Sequence, residues 1–214
     1  MKLIDMTVIN FANEVDSNSP APGGGSVAAL ASDIGIGLSR MMAHLSFGKK
    51  KFEALDEEIK NEFSERFEKL GEIRVQLDTL IDKDTESFNA FMKALKMPKE
   101  TFKEKIQRKE ALEEATKFSI EVPYKTATLS LEAMKQLELL IANGNQNAIT
   151  DIGVGTLMLC TGLEGAILNV KVNLMGLENK ELYTAYSEGC VSMLAEGKEI
   201  RDRLLDKVHK AIES

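Results

Sequence analysis

Apolar side chains recur at spacings of three and four along most of the chain, which is the pattern of helices with one buried face. No stretch shows the alternation of a strand, an internal repeat or a domain boundary. The sequence therefore predicts an all-α fold, a single multihelical bundle of about six helices over residues 1–214. The predicted helices are Leu3–Val15, Ser26–Ser46, Phe52 to about Leu95, a helix from Thr101 to a stop at Asn143-Gly144-Asn145, Ala148–Leu174 and Glu181–Ile212.

The helix predicted from Phe52 is one long amphipathic helix, and its apolar stripe contains an acid. Asp84 falls between Leu80 and Phe88, in a slot that the pattern reserves for the core. A buried carboxylate must be paired, hydrogen-bonded or shifted in pKa. Asp84 is therefore a candidate catalytic residue, and the alternative is a hydrogen bond between helices.

The segment Ala148–Leu174 is apolar almost all round, which predicts a buried central helix that Asn147 caps. A small and polar stripe interrupts it at spacings of three and four. Its members are Asp151, Gly155, Met158, Gly162, Ala166, Asn169 and Asn173. Such a stripe faces either a ligand cavity or the backbone of another helix. Asp151 has a further interpretation, because an acid in a first helical turn complements the helix dipole without any chemistry.

A loop from Ser19 to Ser26 combines Pro20 and Pro22 with the glycines Gly23, Gly24 and Gly25. Ser26 is predicted to cap the helix that follows, so the glycine amides lie beside a helix N-terminus that favours an anion or a polar ring edge. A flexible linker is the alternative. A P-loop is excluded because no lysine follows before Lys49, and both the P-loop and the dinucleotide motif need a preceding strand.

Two further charged features have a functional and a structural interpretation. Asp33 stands alone among small residues and is either catalytic or a hydrogen-bonded acid of the core or of an interface. The run Lys49-Lys50-Lys51, after Gly48, either caps a helix end or binds a polyanionic tail. Pro123 is expected to kink the helix in which it falls.

Composition narrows the classes of function. A formal net charge of −7 and few histidines argue against nucleic acid as a partner and against a histidine-rich metal centre. Cys160 and Cys190 lack any ligand spacing and predict reduced thiols. The N-terminus has no apolar signal core, and the uncharged run Ile152–Leu163 is too short to span a bilayer. We expect a soluble cytoplasmic protein with no membrane partner.

Several motifs, taken in order, resemble the cyclodeaminase domain of the formiminotransferase-cyclodeaminase family over nearly the whole chain. They are Ser19-Pro20-Ala21-Pro22-Gly23-Gly24-Gly25-Ser26-Val27-Ala28-Ala29, Phe47-Gly48-Lys49-Lys50, Asp82-Lys83-Asp84 with Phe88, Val122-Pro123, Gly144-Asn145 with Asp151, and Asn169-Val170-Lys171-Val172-Asn173-Leu174. Asp33 departs from the small residue that the family has at this place.

The resemblance implies an all-helical homodimer that binds a tetrahydrofolate carrying a one-carbon unit, without metal, nucleotide or prosthetic group. It implies a stand-alone 5-formimidoyltetrahydrofolate cyclodeaminase, or alternatively a 5,10-methenyltetrahydrofolate cyclohydrolase. A non-catalytic helical dimerisation scaffold is the third interpretation.

Site residues follow from combining the resemblance with the residue patterns. Asp84 is expected to be the acid/base, with Asp151 orienting the pterin or stabilising developing positive charge. The substrate-binding candidates are Pro22, Gly23, Gly24, Gly25, Ser26, Lys49, Lys50, Lys51, Asn145, Asn169 and Asn173. Among these, the two helical asparagines would contact the pterin edge, and the lysines would contact the glutamate or polyglutamate tail.

Overall fold

The computed structural model describes residues 2–213, and every regular element in that range is a helix. The all-α prediction is confirmed. The seven α-helices are α1 Val8–Val15, α2 Gly24–His44, α3 Lys50–Glu53, α4 Glu57–Leu95, α5 Phe102–Asn143, α6 Ile149–Leu174 and α7 Lys180–Glu213. Two 3₁₀ turns, Leu3–Asp5 and Gln146–Ala148, precede α1 and α6.

The helices α2 and α6 form the centre of the bundle and run antiparallel to each other. α6 packs against α2, α5 and α7, while α4 covers the outer side of α2 and α5. One continuous apolar core joins them. The segment Gln146–Leu174 is long and apolar enough to cross a membrane by length and composition. In this bundle its apolar faces are explained by packing, since the segment forms the core helix.

The small residues of α6 let its backbone approach the backbone of α2. A Cβ at Gly155 would lie 2.7 Å from the Gly35 carbonyl oxygen, and one at Gly162 would lie 2.7 Å from the Ala28 carbonyl oxygen. Between these contacts the Ser32 hydroxyl meets the Ser130 hydroxyl of α5 at 2.6 Å. The middle of the predicted stripe is therefore a close helix contact, which leaves only its C-terminal end for a cavity.

Two predicted helix boundaries near the N-terminal half are wrong. The prediction of one helix over Leu3–Val15 misses a break at Thr7, whose hydroxyl accepts the Asn10 amide and caps α1. The long helix does not begin at Phe52. That ring packs back against Phe47 and Phe63, with centroids 5.3 and 5.0 Å away, so the short α3 turns before α4 begins at Glu57.

The turn between α5 and α6 is held by Asn145, and the predicted cap at Asn147 is wrong. The Asn145 side chain accepts the Asn147 amide at 3.1 Å and donates to the Leu45 carbonyl at 3.0 Å. Its backbone amide donates to the Ser46 hydroxyl at 2.8 Å. These bonds fasten the turn to the C-terminal end of α2.

Asp33 is a structural acid on the α2–α4 contact. Its side chain is almost fully buried and accepts a bond from Arg74 Nε at 2.9 Å. Burial raises the pKa of Asp33 to about 6, and the Arg74 guanidinium opposes that shift. The interpretation of Asp33 as a hydrogen-bonded core acid is confirmed.

The close α2–α6 contact predicts opposite effects for two glycine substitutions. Gly155→Ala places a methyl group against the Gly35 carbonyl and the Ser39 hydroxyl, so we expect the free energy of unfolding to fall by about 1–3 kcal/mol. Gly37→Ala, on α2 with no atom within 4 Å of the new Cβ, should instead stabilise by up to about 1 kcal/mol. Chemical denaturation measures both, and a neutral Gly155→Ala would contradict the close contact.

Candidate active site

A cavity of about 360 Å³ lies where the start of α2 meets α4, α5 and the C-terminal end of α6. We call it the Asp84 cavity, since Asp84 is the only titratable side chain among the described residues that line it. The lining residues are Pro20, Ala21, Gly23, Gly24, Asp84, Ser87, Phe88, Phe91, Thr116, Ser119, Asn169, Val172, Asn173 and Gly176.

Asp84 is held by the first turn of α2. Its Oδ2 accepts the Ser26 amide at 2.9 Å and lies 3.3 Å from the Ser26 hydroxyl, which also donates to the Ile81 carbonyl at 2.8 Å. Its Oδ1 accepts no hydrogen bond from the described residues, although Asp84 lines the cavity. One carboxylate oxygen is thus fixed by the protein, and the other is free to meet a ligand.

Two opposing effects act on the Asp84 carboxyl group. Burial raises the pKa of Asp84 above its ordinary value of 3.8, and the hydrogen bonds from Ser26 oppose that rise. The carboxylate also benefits from the positive end of the α2 dipole. The raised pKa makes this carboxylate a stronger base than an ordinary aspartate, which suits a group that accepts a proton and then returns it.

The glycines act by making room rather than by an unusual backbone conformation. None of them has a positive φ, and α2 already begins at Gly24. A Cβ at Gly25 would lie 2.0 Å from Asp84 Oδ1, so only glycine lets the carboxylate reach this helix terminus. The predicted N-cap at Ser26 is therefore wrong, because Ser26 is inside the helix and its side chain supports Asp84 instead.

The glycine-rich stretch contributes unevenly to the cavity. Gly23 and Gly24 line it, whereas Pro22, Gly25 and Ser26 are buried and do not. The Ala21–Pro22 peptide is cis. The Gly24 amide donates to no acceptor among the described residues, so it is available for a ligand oxygen.

Asn169 and Asn173 both line the cavity, as the α6 stripe predicts. Asn169 Nδ2 donates to the Gly165 carbonyl at 2.9 Å, which leaves its Oδ1 as an acceptor next to Gly24. Asn173 Nδ2 donates to the Ser119 carbonyl at 2.6 Å. Two amide side chains, each fixed by one bond, thus offer their remaining donors and acceptors to the cavity.

The acceptor for Asn173 exists because Pro123 has no amide hydrogen. In a regular helix residue 123 would donate to the Ser119 carbonyl, and proline leaves that carbonyl unpaired. The helix α5 nevertheless continues through Pro123 to Asn143. The kink expected there stays a prediction.

The lysine run lies far from the Asp84 cavity within one chain. Lys49, Lys50 and Lys51 line a separate pocket of about 290 Å³ together with Asn145. Gly24 and His44 mark the two ends of α2, which at 1.5 Å per residue is about 30 Å long. The structure therefore divides the predicted substrate-binding residues into two groups at opposite ends of the bundle.

Asp151 belongs to the lysine end. It lies in the first turn of α6, and at 1.5 Å per residue it is about 27 Å along the helix from Asn169. Within one chain it cannot act on the same reacting atoms as Asp84. Its position suits the dipole interpretation, since an acid stabilises a first helical turn.

The sequence comparison decides the family. Residues 7–192 match the family described as formiminotransferase-cyclodeaminase. The chain belongs to that family.

Relatives of two kinds share about a third of its residues. A methenyltetrahydrofolate cyclohydrolase of Methylorubrum extorquens is 32% identical over 206 residues, covering 96% of this chain and 97% of that protein. A formimidoyltransferase-cyclodeaminase of Gallus gallus is 33% identical over 189 residues, covering 88% of this chain. The chain spans only 34% of the length of the Gallus protein.

A solved structure has the same fold as this formiminotransferase-cyclodeaminase family member. The formiminotetrahydrofolate cyclodeaminase of Thermotoga maritima superposes with a TM-score of 0.77 at 23% identity, covering 98% of this chain and 96% of that one. At this level of identity the likeness concerns the fold.

Sequence reasoning missed part of the cavity wall in this family member. Phe91, Thr116 and Ser119 line it, and none of them carries a motif. Only Ser119 had a signal in the sequence, because it lies four residues before Pro123 and its carbonyl had to find another donor. Thr116 and Phe91 join the site only through the way α4 and α5 cross.

The fit between Gly25 and Asp84 gives a prediction for this cyclodeaminase-family site. Gly25→Ala should displace the Asp84 carboxylate from the Ser26 amide and lower the free energy of unfolding by about 1–3 kcal/mol. In an Asp84→Ala background the same substitution should cost little, because the methyl group then has room. Denaturation of the four proteins gives the coupling, and simple additivity would show that the two residues do not meet.

Proposed function

We propose that this protein is a one-carbon folate enzyme, a 5-formimidoyltetrahydrofolate cyclodeaminase that forms 5,10-methenyltetrahydrofolate and ammonia. Family membership and the names of the relatives support folate one-carbon chemistry of the cyclodeaminase or cyclohydrolase type. The observation that carries the proposal is Asp84, a half-buried acid with one free oxygen in a cavity that otherwise lacks titratable side chains among the described residues.

The cavity suits a reduced pterin by its size and its lining. Phe88 and Phe91 are the aromatic residues in its lining, and aromatic side chains pack well against a flat ring. Asn169 Oδ1 and the Gly24 amide provide one acceptor and one donor for its polar edge. Asn173 adds further amide atoms at the Ser119 side of the cavity. Polar and apolar atoms line the cavity in about equal measure, which suits a ring that has flat faces and a polar edge.

The deamination needs one group that moves a proton between two nitrogens. N10 attacks the carbon of the formimidoyl group on N5, which enters protonated as N5–CH=NH2+, and gives a tetrahedral carbon bearing N5, the still protonated N10 and an amino group. Asp84 accepts the N10 proton and delivers it to the amino nitrogen, which leaves as ammonia while the N10–carbon–N5 bridge becomes the methenyl cation. Positioned acid/base catalysis of this kind contributes about 10²–10⁴-fold.

The cyclohydrolase reaction is the second candidate, and a specific observation favours it. The Methylorubrum extorquens cyclohydrolase matches this chain over nearly the full length of both proteins. In that reaction water attacks the methenyl carbon and Asp84 accepts one of its protons. Asp84 passes that proton to N5 as the carbon–N5 bond breaks, while the remaining hydroxyl proton goes to solvent and the formyl C=O of 10-formyltetrahydrofolate forms. The same carboxyl group could serve either reaction, since both pass through a tetrahedral carbon.

Separate assays of the purified protein with 5-formimidoyl- and 5,10-methenyltetrahydrofolate test the function. We expect turnover of the first substrate, with release of one ammonia per methenyl group formed. Turnover of the second substrate alone would favour the cyclohydrolase. Absence of turnover and of reduced-folate binding would support the non-catalytic scaffold.

Asp84→Asn should remove acid/base catalysis while nearly preserving the shape of the site. We expect kcat to fall by about 10²–10⁴-fold with a much smaller change in KM. Asp82→Asn is the matched control, because Asp82 lies outside the cavity and instead accepts the Leu3 amide at 2.7 Å. A kcat near wild type in Asp84→Asn would remove Asp84 from the mechanism.

The pH dependence of kcat/KM gives a second test of the role of Asp84. A base must start as carboxylate, so kcat/KM should fall as the pH drops through the pKa of Asp84, which burial places above 3.8. That acidic limb should be absent from the residual activity of Asp84→Asn.

The homodimer is also proposed, with an exposed apolar face of α2 and α6 as its interface. Val27 and Ile34 on α2, and Leu157, Leu168 and Val172 on α6, are 38–62% exposed. Val172 also lines the Asp84 cavity, so a second copy on this face would cover one side of the site.

A cytoplasmic location is proposed as well, supported by Cys160 and Cys190 being free, buried thiols.

A further inference from the structure

Pro123 is buried in the middle of α5 and does not line the Asp84 cavity. A proline inside a helix removes one backbone hydrogen bond and places its ring against the carbonyl four residues earlier, which makes it the least favourable residue for such a position. For Pro123 that carbonyl belongs to Ser119. The chain therefore carries an unfavourable residue where alanine would suit the helix better.

The Ser119 carbonyl finds its donor on another helix. Asn173 Nδ2, in the last turn of α6, donates to it at 2.6 Å. Both Ser119 and Asn173 line the Asp84 cavity. The unfavourable proline is thus connected, through one hydrogen bond, to a polar side chain of the site.

This hydrogen bond determines which atom Asn173 presents to the cavity. A carbonyl oxygen accepts only from a donor, so Nδ2 must face Ser119 and Oδ1 faces away from it. Oδ1 accepts no hydrogen bond from the described residues. An amide hydrogen at position 123 would draw the Ser119 carbonyl back into the helical bond, and the Asn173 amide group would then be free to turn over.

We propose that Pro123 is a positioning residue of the site, which holds the Asn173 side chain so that its Oδ1 accepts an N–H group of the ligand. The ligand is taken to be the reduced folate of the proposed function, so this role rests on that function for the identity of the ligand. Asn169 is held in the same sense, since its Nδ2 donates to the Gly165 carbonyl at 2.9 Å.

Three side-chain oxygens then face the ligand as acceptors, Oδ1 of Asn169, Oδ1 of Asn173 and the free Oδ1 of Asp84. A site whose buried groups need donors discriminates against ligands that lack them, because the unmatched oxygens would stay without a partner. Pro123 would contribute to that selectivity from outside the cavity.

A purely structural role for Pro123 makes a different prediction. If the proline served only packing or helix direction, its replacement would change stability and ligand affinity together, or change neither. A positioning role separates the two quantities. Alanine restores the helical hydrogen bond and favours α5, while it releases Asn173 and weakens binding.

Calorimetry with 5-formyltetrahydrofolate, a stable reduced folate, measures the effect on binding. Pro123→Ala should bind it about twofold to tenfold more weakly than wild type, the factor that one neutral hydrogen bond contributes. Its denaturant midpoint should stay equal or rise. Pro123→Val adds the same amide hydrogen with a side chain of nearly the volume of proline, and should weaken binding equally.

Val122→Ala is the neighbouring control. It removes a buried side chain from α5 without adding a backbone donor. We expect its denaturant midpoint to fall and its affinity for 5-formyltetrahydrofolate to stay at the wild-type value. This pattern is the opposite of the one expected for Pro123→Ala.

A cycle of substitutions shows whether Pro123 acts through Asn173. Asn173→Ala should weaken binding by a similar factor, and adding Pro123→Ala to it should have little further effect. In turnover assays Pro123→Ala should raise KM with little change in kcat, since Asp84 and its hydrogen bonds to Ser26 are untouched.

Hydrogen exchange of the Asn173 side-chain amide, followed by NMR, decides the positioning without any ligand. Exchange should be faster in Pro123→Ala than in wild type, because the bond to Ser119 is lost or shared. A wild-type protein that neither binds nor turns over a reduced folate would contradict the proposed function, and the exchange rates would still decide the effect of Pro123 on Asn173. Equal exchange rates in the two proteins, wild-type affinity in Pro123→Ala, or losses that add fully in the cycle would each overturn the positioning role.

Discussion

The close contact between α2 and α6 is the constraint on which the rest of the structure depends. Carbonyl oxygens of one helix occupy the space that side chains of the other would need, as at Gly155 and Gly162. Because the helices are antiparallel, the contact brings Gly24 to Asn169 at one end and the α5–α6 turn to Leu45 at the other. A wider separation would open the Asp84 cavity along the side where these two helices meet.

The chemistry of the cavity comes from a balance at Asp84. Burial disfavours the carboxylate, while the Ser26 amide and the helix terminus favour it. Burial alone would favour the protonated acid, which cannot act as a base. The hydrogen bonds alone would lower the pKa of Asp84 and make its carboxylate a weaker base. The missing side chain at Gly25 is what allows both effects to reach the same group.

Local chemistry could be predicted from the sequence where one residue violated the pattern around it. Asp84 stood out because an acid occupied a core position, and Asn169 because a polar group ended a buried stripe. The break between α3 and α4 could not be predicted, since the packing of Phe52 against Phe63 joins positions on different helices. The separation of Asp151 and the three lysines from Asp84 could not be predicted either. The order of motifs along the chain says nothing about the distances between them in the fold.

Family resemblance and geometry therefore contributed different parts of the site. The motifs identified the chemistry that the chain carries, and the fold determined which motif residues share one cavity. Thr116 and Phe91 show the remaining gap, because they line the site without any local signal and owe their place to the crossing of α4 and α5.

Pro123 makes one wall of the cavity dependent on a residue that does not line it. Because proline has no amide hydrogen, the Ser119 carbonyl has no helical donor and instead accepts a hydrogen bond from the Asn173 side chain. Any other residue at position 123 would bring a donor that competes with Asn173 for that oxygen. The orientation of a polar side chain in the pocket thus depends on the backbone of α5 at Pro123, a residue that does not itself contact the pocket.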